Sequence, residues 1–212
     1  MGITPDSGIG RDMNRESYDA IAVQWEQVRV RMSDAEQRIL ELLCGDLRFG
    51  CTVLDLGCGT GRPIAEYLVS QGFSVTGVDQ SVQMLGFARQ RLPTQEWILA
   101  NLDTFVPGQS FSAVIAWDSL FHVSRVLYGS IFRNVKMALQ PGGRFALTVG
   151  GSEHPPFTDT MFDREFFYDS HSPEVALQLL RDTGFELVHS EFLNLPTSGR
   201  DKGRFAMVAR AA

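Results

Sequence analysis

Three glycines at alternate positions follow an aspartate in the segment V-L-D-L-G-C-G-T-G, which ends at Gly61. The apolar residues before Asp55 predict a buried strand, and a helix-like segment begins at Ile64 directly after the turn. Glycine lets the backbone take positive φ and lets a ligand approach without a Cβ in the way, and the first N–H groups of the helix point at the same place. Gly57, Gly59 and Gly61 therefore predict a turn that holds a polar ligand against the backbone.

The spacing of these glycines bears on the kind of nucleotide that the turn accepts. The dinucleotide pattern G-x-G-x-x-G needs a small third residue, but that position falls on Arg62 or Ile64 in the two frames of this turn. The next predicted strand ends at Asp79, about 20 residues further on, where a carboxylate can accept hydrogen bonds from both ribose hydroxyls of an adenosine. NAD and S-adenosyl-L-methionine (S-adenosylmethionine) both carry that ribose, so Asp79 alone does not separate them.

The order of acid and glycines, acid-x-G-x-G-x-G, resembles motif I of the class I S-adenosylmethionine-dependent methyltransferases. The resemblance covers roughly residues 18–212. In that family the turn packs against the amino-acid part of the cofactor. The resemblance implies that the following residues bind this part: Asp55, Gly57, Cys58, Gly59 and Gly61.

The segment after the second strand carries the same resemblance. D-Q-S-V-Q-M-L, which begins at Asp79, matches the family's D-x-S-x-x-M-L, and its serine, Ser81, predicts the N-cap of a helix. The resemblance implies that Asp79 and Gln80 hold the ribose and that Met84 lies against the adenine face. A core methionine of an amphipathic helix is an equally good interpretation of Met84.

The joint after the third strand, A-N-L-D, departs from the family pattern. The family often has Gly-Asp there, with the acid next to the adenine amino group, whereas this chain has Asn101. An amide oxygen can accept the same hydrogen bond. The resemblance implies adenine contacts from Asn101 and Leu102, and a polar turn at the end of a strand is the alternative.

After the fourth strand, A-W-D-S-L-F-H resembles motif IV of small-molecule methyltransferases. The resemblance implies that a backbone carbonyl near Ala116 meets the ammonium group of the cofactor, and that Asp118 and His122 face the transferred methyl group. The chain lacks Asn-Pro-Pro-Tyr, used on amino groups of bases and proteins, and the Pro-Cys pair used to attack pyrimidines. Both absences favour a small-molecule methyl acceptor.

The chemistry of a sulfonium methyl donor limits what the protein must supply. Placing the acceptor in line can provide about 7–11 kcal/mol of the barrier. A base is needed only if the acceptor loses a proton, and His122 is the first candidate because imidazole titrates near neutrality. The sequence leaves open whether the acceptor atom is oxygen, nitrogen, sulfur or carbon.

Two segments are expected to cover the site. Residues 150–172 are rich in Phe, Asp and His, and are interpreted either as the cover of an apolar acceptor pocket or as a packed loop whose aromatic residues join the core. The aromatic residues concerned are Phe157, Phe162, Phe166, Phe167 and Tyr168. Tyr18 lies at the family's N-terminal Tyr-Asp pair, which implies a bond to the methionine carboxylate, while Trp25 is expected to dock its helix on the sheet.

Strands and helices alternate along the chain with short joints. Strands are predicted at 51–56, 73–78, 97–101, 111–117 and 144–149, with helices at 63–71, 82–92, 125–139 and 173–182 between or after them. The last two strands, 185–193 and 204–210, have only a loop between them and are expected to pair antiparallel. The predicted fold is α/β and Rossmann-like, with a seven-stranded, mostly parallel sheet, one antiparallel strand, and helices on both faces.

Size and composition agree with one globular domain. The 212 residues are divided into a flexible N-terminal segment, 1–17, and a single domain, 18–212, with a helical cap at 18–45. A net charge of −6 argues against a nucleic-acid partner. No apolar run reaches the ~18 residues of a membrane span, and no signal peptide is recognised. Three cysteines without metal-ligand spacing predict reduced thiols, a cytoplasmic location and no metal.

Three functions remain at this point. The favoured one is S-adenosylmethionine-dependent methyl transfer to a small molecule. The alternatives are a non-catalytic module of the same fold that binds cofactor or a partner, and an NAD-dependent oxidoreductase. Intact glycines and Asp79 argue for cofactor binding but do not establish turnover. The oligomeric state is not predicted.

Overall fold

The computed structural model describes residues 7–198 and 201–212. Two helices begin the chain: α1, Ser7–Val28, and α2, Asp34–Cys44. A capping box begins α2: the Ser33 side chain accepts from the Glu36 N–H, while the Glu36 carboxylate accepts from the Ser33 N–H.

Within the described residues, seven strands form the central sheet. They are β1 (Thr52–Leu56), β2 (Ser74–Asp79), β3 (Glu96–Leu99), β4 (Phe111–Ala116), β5 (Leu139–Gly150), β8 (Phe185–Asn194) and β9 (Arg204–Ala211). A separate hairpin consists of β6 (Phe157–Met161) and β7 (Arg164–Tyr168). The order across the sheet is β3-β2-β1-β4-β5-β9-β8, and β9 runs antiparallel to both of its neighbours. The predicted fold class and the antiparallel end of the sheet are confirmed.

Four more helices flank the sheet: α3 (Ile64–Ser70), α4 (Val82–Arg91), α5 (Tyr128–Ala138) and α6 (Pro173–Asp182). Side chains of a strand alternate between the two faces, and β4 shows where each face packs. Ala113 and Ile115 join the core that contains α2, α3 and α4, whereas Val114 and Ala116 join the core that contains α5 and α6. The fully buried β4 therefore fixes the position of the loop that follows it.

Three boundaries differ from the sequence prediction. Helix α1 begins at Ser7 inside the segment expected to be flexible, and Asn14 is fully buried there; residues 1–6 of that segment lie outside the described residues. Strand β5 begins at Leu139 because the pairing with β4 shifts between Phe111 and Ala113, which accommodates the extra residues of the Pro-Gly-Gly segment. Residues 125–127 form a 3₁₀ turn before α5.

The hairpin in the segment 150–172 is a finding that the sequence did not predict. Its turn residues, Phe162 and Asp163, both have positive φ, 51° and 59°. Two-residue hairpin turns of this kind normally carry Asn-Gly or Asp-Gly. Because Phe-Asp is an unusual pair there, the local sequence gives no hairpin signal, and contacts with α1 take the place of favourable turn chemistry.

Candidate active site

An open cleft lies where β1, β2, β3 and β4 end, beneath α1. In a sheet of this kind, ligands bind outside the carboxyl ends of the strands. The structure brings most of the sequence-predicted site residues to its walls: Tyr18, Asp55, Gly57, Cys58, Gly59, Asp79, Gln80, Met84, Asn101, Leu102, Asp118 and His122. Gly61 and Ala116 do not line it.

The glycine turn has two different roles. All three glycines have positive φ, but a Cβ on Gly57 would lie 2.3 Å from the Cβ of Ser119, whereas a Cβ on Gly59 would meet only the Trp25 indole nitrogen at 3.6 Å. Gly57 therefore allows two loops to pack closely, and Gly59 keeps the wall of the cleft open. Gly61 faces away from the cleft, where a Cβ would crowd the Trp97 ring at 3.3 Å.

Asp79 is held by the backbone of two neighbouring loops. One of its carboxylate oxygens accepts a hydrogen bond from the Gly59 N–H at 2.9 Å, and the other accepts from the Ser81 N–H at 2.8 Å. Burial raises the pKa of Asp79 to about 6. Burial, together with the charge of Asp79, raises the pKa of Asp55 to about 7. Two buried carboxyl groups side by side favour a ligand with positive charge, which would stabilise both ionised forms.

Asp19, next to Tyr18 in the chain, joins α1 to the start of α4. Its carboxylate accepts from the Ser81 hydroxyl at 2.6 Å and from the Gln83 N–H at 3.1 Å. The Ser81 hydroxyl in turn accepts from the Met84 N–H, which confirms the predicted N-cap. Met84 is fully buried beneath this contact and contributes to both the core and the cleft wall.

His122 is enclosed and has a partner on each ring nitrogen. Nδ1 lies 3.0 Å from the carbonyl oxygen of Phe167, and Nε2 lies 2.9 Å from the hydroxyl of Tyr18. A carbonyl only accepts, so Nδ1 carries the proton, and Nε2 then accepts from the Tyr18 O–H. Burial lowers the pKa of His122 to about 4, so the ring is neutral at neutral pH.

Asp118 also lines the cleft, in a left-handed backbone conformation. Its φ is +50°, which is uncommon for a residue with a Cβ. Its N–H donates to the Thr148 hydroxyl at 2.7 Å, and its carboxylate accepts from Arg204 at 2.7 Å. Burial raises the pKa of Asp118 despite the charge of Arg204. Ala116, two residues earlier, is fully buried inside the sheet.

A buried polar cluster beside the cleft went unrecognised in the sequence. The Glu36 carboxylate accepts from the Trp117 indole N–H at 2.9 Å and forms an ion pair with Arg29. Arg29 and Trp117 both line the cleft. Glu36 reaches Arg29 and Trp117 from different parts of the chain, so these contacts leave no local signal in the sequence.

The aromatic residues of the segment 150–172 correct one expectation. Of the five named, only Phe167 lines the cleft. Phe166 is fully buried against α1, and Phe157 stacks on Tyr168 with ring centroids 5.2 Å apart. Phe162 lies at the hairpin turn and is largely exposed. The interpretation of a packed segment with aromatic residues in the core therefore holds for Phe166, with Tyr168 packed against it.

The rest of the sequence-level expectations concern metals, thiols and membranes. No group of metal-ligating side chains occurs in residues 7–198 and 201–212. Cys44, Cys51 and Cys58 are free thiols. In the part of the chain that the structure describes, every helix is too short or too polar to cross a membrane.

Comparison with known proteins connects this fold and cleft to a family. Residues 53–143 match a family model described as a methyltransferase domain. The chain is 30% identical over 155 residues to phosphoethanolamine N-methyltransferase 3 of Arabidopsis thaliana, covering 69% of this chain and 31% of that protein. It is 35% identical over 112 residues to trans-aconitate 2-methyltransferase of Paracidovorax citrulli, covering 51% of this chain and 42% of that protein. The chain thus spans less than half the length of these two relatives.

The solved structures extend the likeness to almost the whole chain at the level of fold. Magnesium protoporphyrin IX methyltransferase from Synechocystis PCC 6803, crystallised with S-adenosylhomocysteine, superposes with a TM-score of 0.71 at 17% identity, over 96% of this chain and all of that one. Residues 53–143 are thus a methyltransferase domain by their family model, and the resemblance seen in the sequence is confirmed at that level.

Proposed function

We propose that this protein transfers a methyl group from S-adenosylmethionine to a small-molecule acceptor. The observation that carries the proposal is the cleft itself, in which the glycine turn, the backbone-held Asp79 and the Tyr18–His122 pair lie together. The membership of the matched domain and the activities named for its relatives support the same reaction.

The residues present fit the cofactor. The open backbone at Gly59 would receive its amino-acid part, and Asp55 and Asp79 carry the negative charge that a sulfonium and an ammonium group favour. Asp79 keeps unused carboxylate lone pairs for the ribose hydroxyls, in addition to its two backbone bonds. Gln80 and Met84 would continue this contact toward the base. NAD lacks the sulfonium, and the turn lacks the spacing for its pyrophosphate.

When bound, the cofactor supplies a methyl group that is already activated for transfer. The chain's own groups then orient the acceptor and take up its proton. Both ring nitrogens of His122 are engaged, so we assign the group that touches the acceptor to the Tyr18 hydroxyl. Tyr18 accepts the acceptor's proton on its oxygen while its own proton passes to His122 Nε2, which leaves a neutral phenol and an imidazolium. The buried imidazole of His122 is a weak base. The step is therefore limited to acceptors whose proton becomes acidic as the bond between the acceptor atom and the methyl group forms.

The walls of the cleft also support a small acceptor. Helix α1 and Phe167 of the hairpin contribute to these walls, and a cleft lined in this way suits a small molecule. Asp118 and Arg29 are two of the charged residues in these walls, and we assign them the orientation of a polar acceptor. A cytoplasmic location is part of this proposal, because free thiols are typical of a reducing compartment.

Calorimetric titration with S-adenosylmethionine, S-adenosylhomocysteine and NAD tests the cofactor. We expect binding of the two sulfur nucleotides and none of NAD, and an Asp79→Asn variant with affinity lower by about 1–3 kcal/mol, because the ribose hydroxyls meet one acceptor oxygen fewer. Binding of NAD alone would overturn the proposal.

Turnover is tested separately with Tyr18→Phe and His122→Ala. Both should transfer methyl groups about a hundredfold more slowly, and His122→Ala should bind the cofactor within about twofold of the parent protein. A parent protein that binds the cofactor but transfers no methyl group to a broad panel of amine, hydroxyl, thiol and carbon acids would favour the non-catalytic module instead.

A further inference from the structure

Asn14 is the one polar side chain of α1 that is fully buried among those the structure describes. It lies four residues before Tyr18, so both side chains lie on the same face of the helix. Its Nδ2 donates to the carbonyl oxygens of His122 and Phe167, each at 3.0 Å, and its Oδ1 accepts from the Phe167 N–H at 2.8 Å. These partners fix the orientation of the amide, because an N–H needs the oxygen and two carbonyls need the nitrogen.

These bonds lie along the outer edge of β7. The inner edge of β7 pairs with β6, and its outer edge exposes the N–H and C=O groups of alternate residues. Asn14 takes up both groups of Phe167, as a neighbouring strand would. Ser17 donates to the carbonyl of Glu165 at 2.6 Å, one step along the same edge. Helix α1 and the hairpin are thereby joined through side chain to backbone bonds.

The Phe167 carbonyl is where this edge meets the catalytic pair. It accepts from Asn14 Nδ2 and from His122 Nδ1, and these two bonds use both of its lone pairs. Without a fixed acceptor at that point, neutral imidazole prefers its proton on Nε2, which would turn a donor toward the Tyr18 hydroxyl. The second Asn14 bond, to the His122 carbonyl, fixes the 3₁₀ turn that carries the ring.

We propose that Asn14 is a positioning residue, which holds His122 in the tautomer with the proton on Nδ1 and so keeps Nε2 as the acceptor for the Tyr18 hydroxyl. The consequence for methyl transfer rests on the proposed function, whereas the tautomer does not. If Asn14 only docked α1 on the hairpin, its substitution would have the same effect as that of Ser17, because both side chains bond the same edge of β7. A positioning role predicts different effects, because only Asn14 also bonds the His122 carbonyl.

The tautomer can be read directly from the ligand-free parent protein. Long-range ¹H–¹⁵N correlation spectra of the imidazole, assigned with a His122→Gln variant, should show His122 neutral at pH 7 with a protonated Nδ1. A protonated Nε2 would overturn the proposal without any variant that has to fold.

Three variants complete the test: Asn14→Ala, Asn14→Asp, which keeps the Oδ1 acceptor and removes the Nδ2 donor, and Ser17→Ala as the matched control. Each Asn14 variant should shift His122 toward the Nε2-protonated form and lower kcat at least tenfold, with cofactor affinity within about twofold of the parent. Ser17→Ala should leave the tautomer and kcat unchanged. Equal losses of kcat in Asn14→Ala and Ser17→Ala would refute the positioning role. So would an unchanged His122 tautomer in a folded Asn14 variant. Absence of methyl transfer in a parent protein with the expected tautomer would refute the proposed function and leave the tautomer assignment standing.

Discussion

A single methyl group added at Gly57 is expected to destabilise the protein far more than the same group added two residues later. The Cβ of Gly57→Ala would lie 2.3 Å from the Cβ of Ser119, where carbon atoms need about 3.5–4.0 Å. Forcing the two loops apart costs about 1–3 kcal/mol, by analogy with overpacked cores. The left-handed backbone, with φ of +80°, adds about 1–2 kcal/mol.

Gly59→Ala provides the comparison. Its φ of +54° carries a similar conformational cost, but the nearest atom to its Cβ lies at an ordinary contact distance of 3.6 Å. We therefore expect losses in the free energy of unfolding of about 2–5 kcal/mol for Gly57→Ala and about 1–2 kcal/mol for Gly59→Ala. Urea unfolding of the ligand-free variants, followed by circular dichroism, measures both.

The steric part of the loss is separated by Ser119→Gly, which removes the atom in conflict together with the hydrogen bond from the Ser119 hydroxyl to the Leu56 carbonyl. A double-mutant cycle over Gly57 and Ser119 should give a favourable coupling of about 1–3 kcal/mol. Equal stability of Gly57→Ala and Gly59→Ala, or a coupling near zero, would show that the close approach of the two loops is not what requires glycine here.

Three further predictions concern buried charges. Because the folded-state pKa of Asp55 is about 7, above its ordinary value, the folded protein binds more protons between about pH 4 and pH 7, and the Asp55 contribution to the free energy of unfolding should fall by about 3 kcal/mol as the pH rises through that window. In urea titrations at several pH values, Asp55→Asn should lose that part of the fall and keep the part that comes from Asp79. Glu36→Ala leaves the Arg29 guanidinium without its partner and should lower the free energy of unfolding by about 3–5 kcal/mol by the same method. Arg125→Met leaves the buried Asp169 carboxylate unpaired and should accelerate limited proteolysis within residues 150–172.

Each of these has a result that would contradict it. If the free energy of unfolding depends on pH in the same way in the parent and in Asp55→Asn, Asp55 is not a source of that dependence. Glu36→Gln, which keeps an acceptor for the Trp117 indole, should lose less than Glu36→Ala, and the reverse order would contradict the ion-pair argument. Arg133→Met, on the exposed face of α5, is the control for Arg125, and equal proteolysis of the two would show that Arg125 does not fasten the hairpin.

The hairpin itself illustrates where local sequence gives little guidance. Both of its stems meet Arg125, which bonds the Asp169 carboxylate, the Glu153 carboxylate and the His154 carbonyl. The outer edge of β7 is completed by Asn14 and not by another strand. Each of these partners is distant in the chain, so no window of neighbouring residues contains the information.

The sequence by itself determined the glycine turn, the acid that ends β2, the alternation of strands and helices, and the antiparallel pair at the end of the sheet. These follow from backbone preferences and from periodic burial, which are properties of neighbouring residues. It also identified His122, although not what the ring contacts.

Only the tertiary structure decided how these groups act together. His122 contacts Tyr18 and Phe167 across separations of 104 and 45 residues. Asn14 connects its own helix, α1, to the 3₁₀ turn of His122 and to β7. The tautomer of His122 depends on a carbonyl whose place is fixed by a helix at the other end of the chain. The physical reason is that hydrogen-bond partners in a buried site are selected by packing, and packing brings together residues that have no relation in sequence.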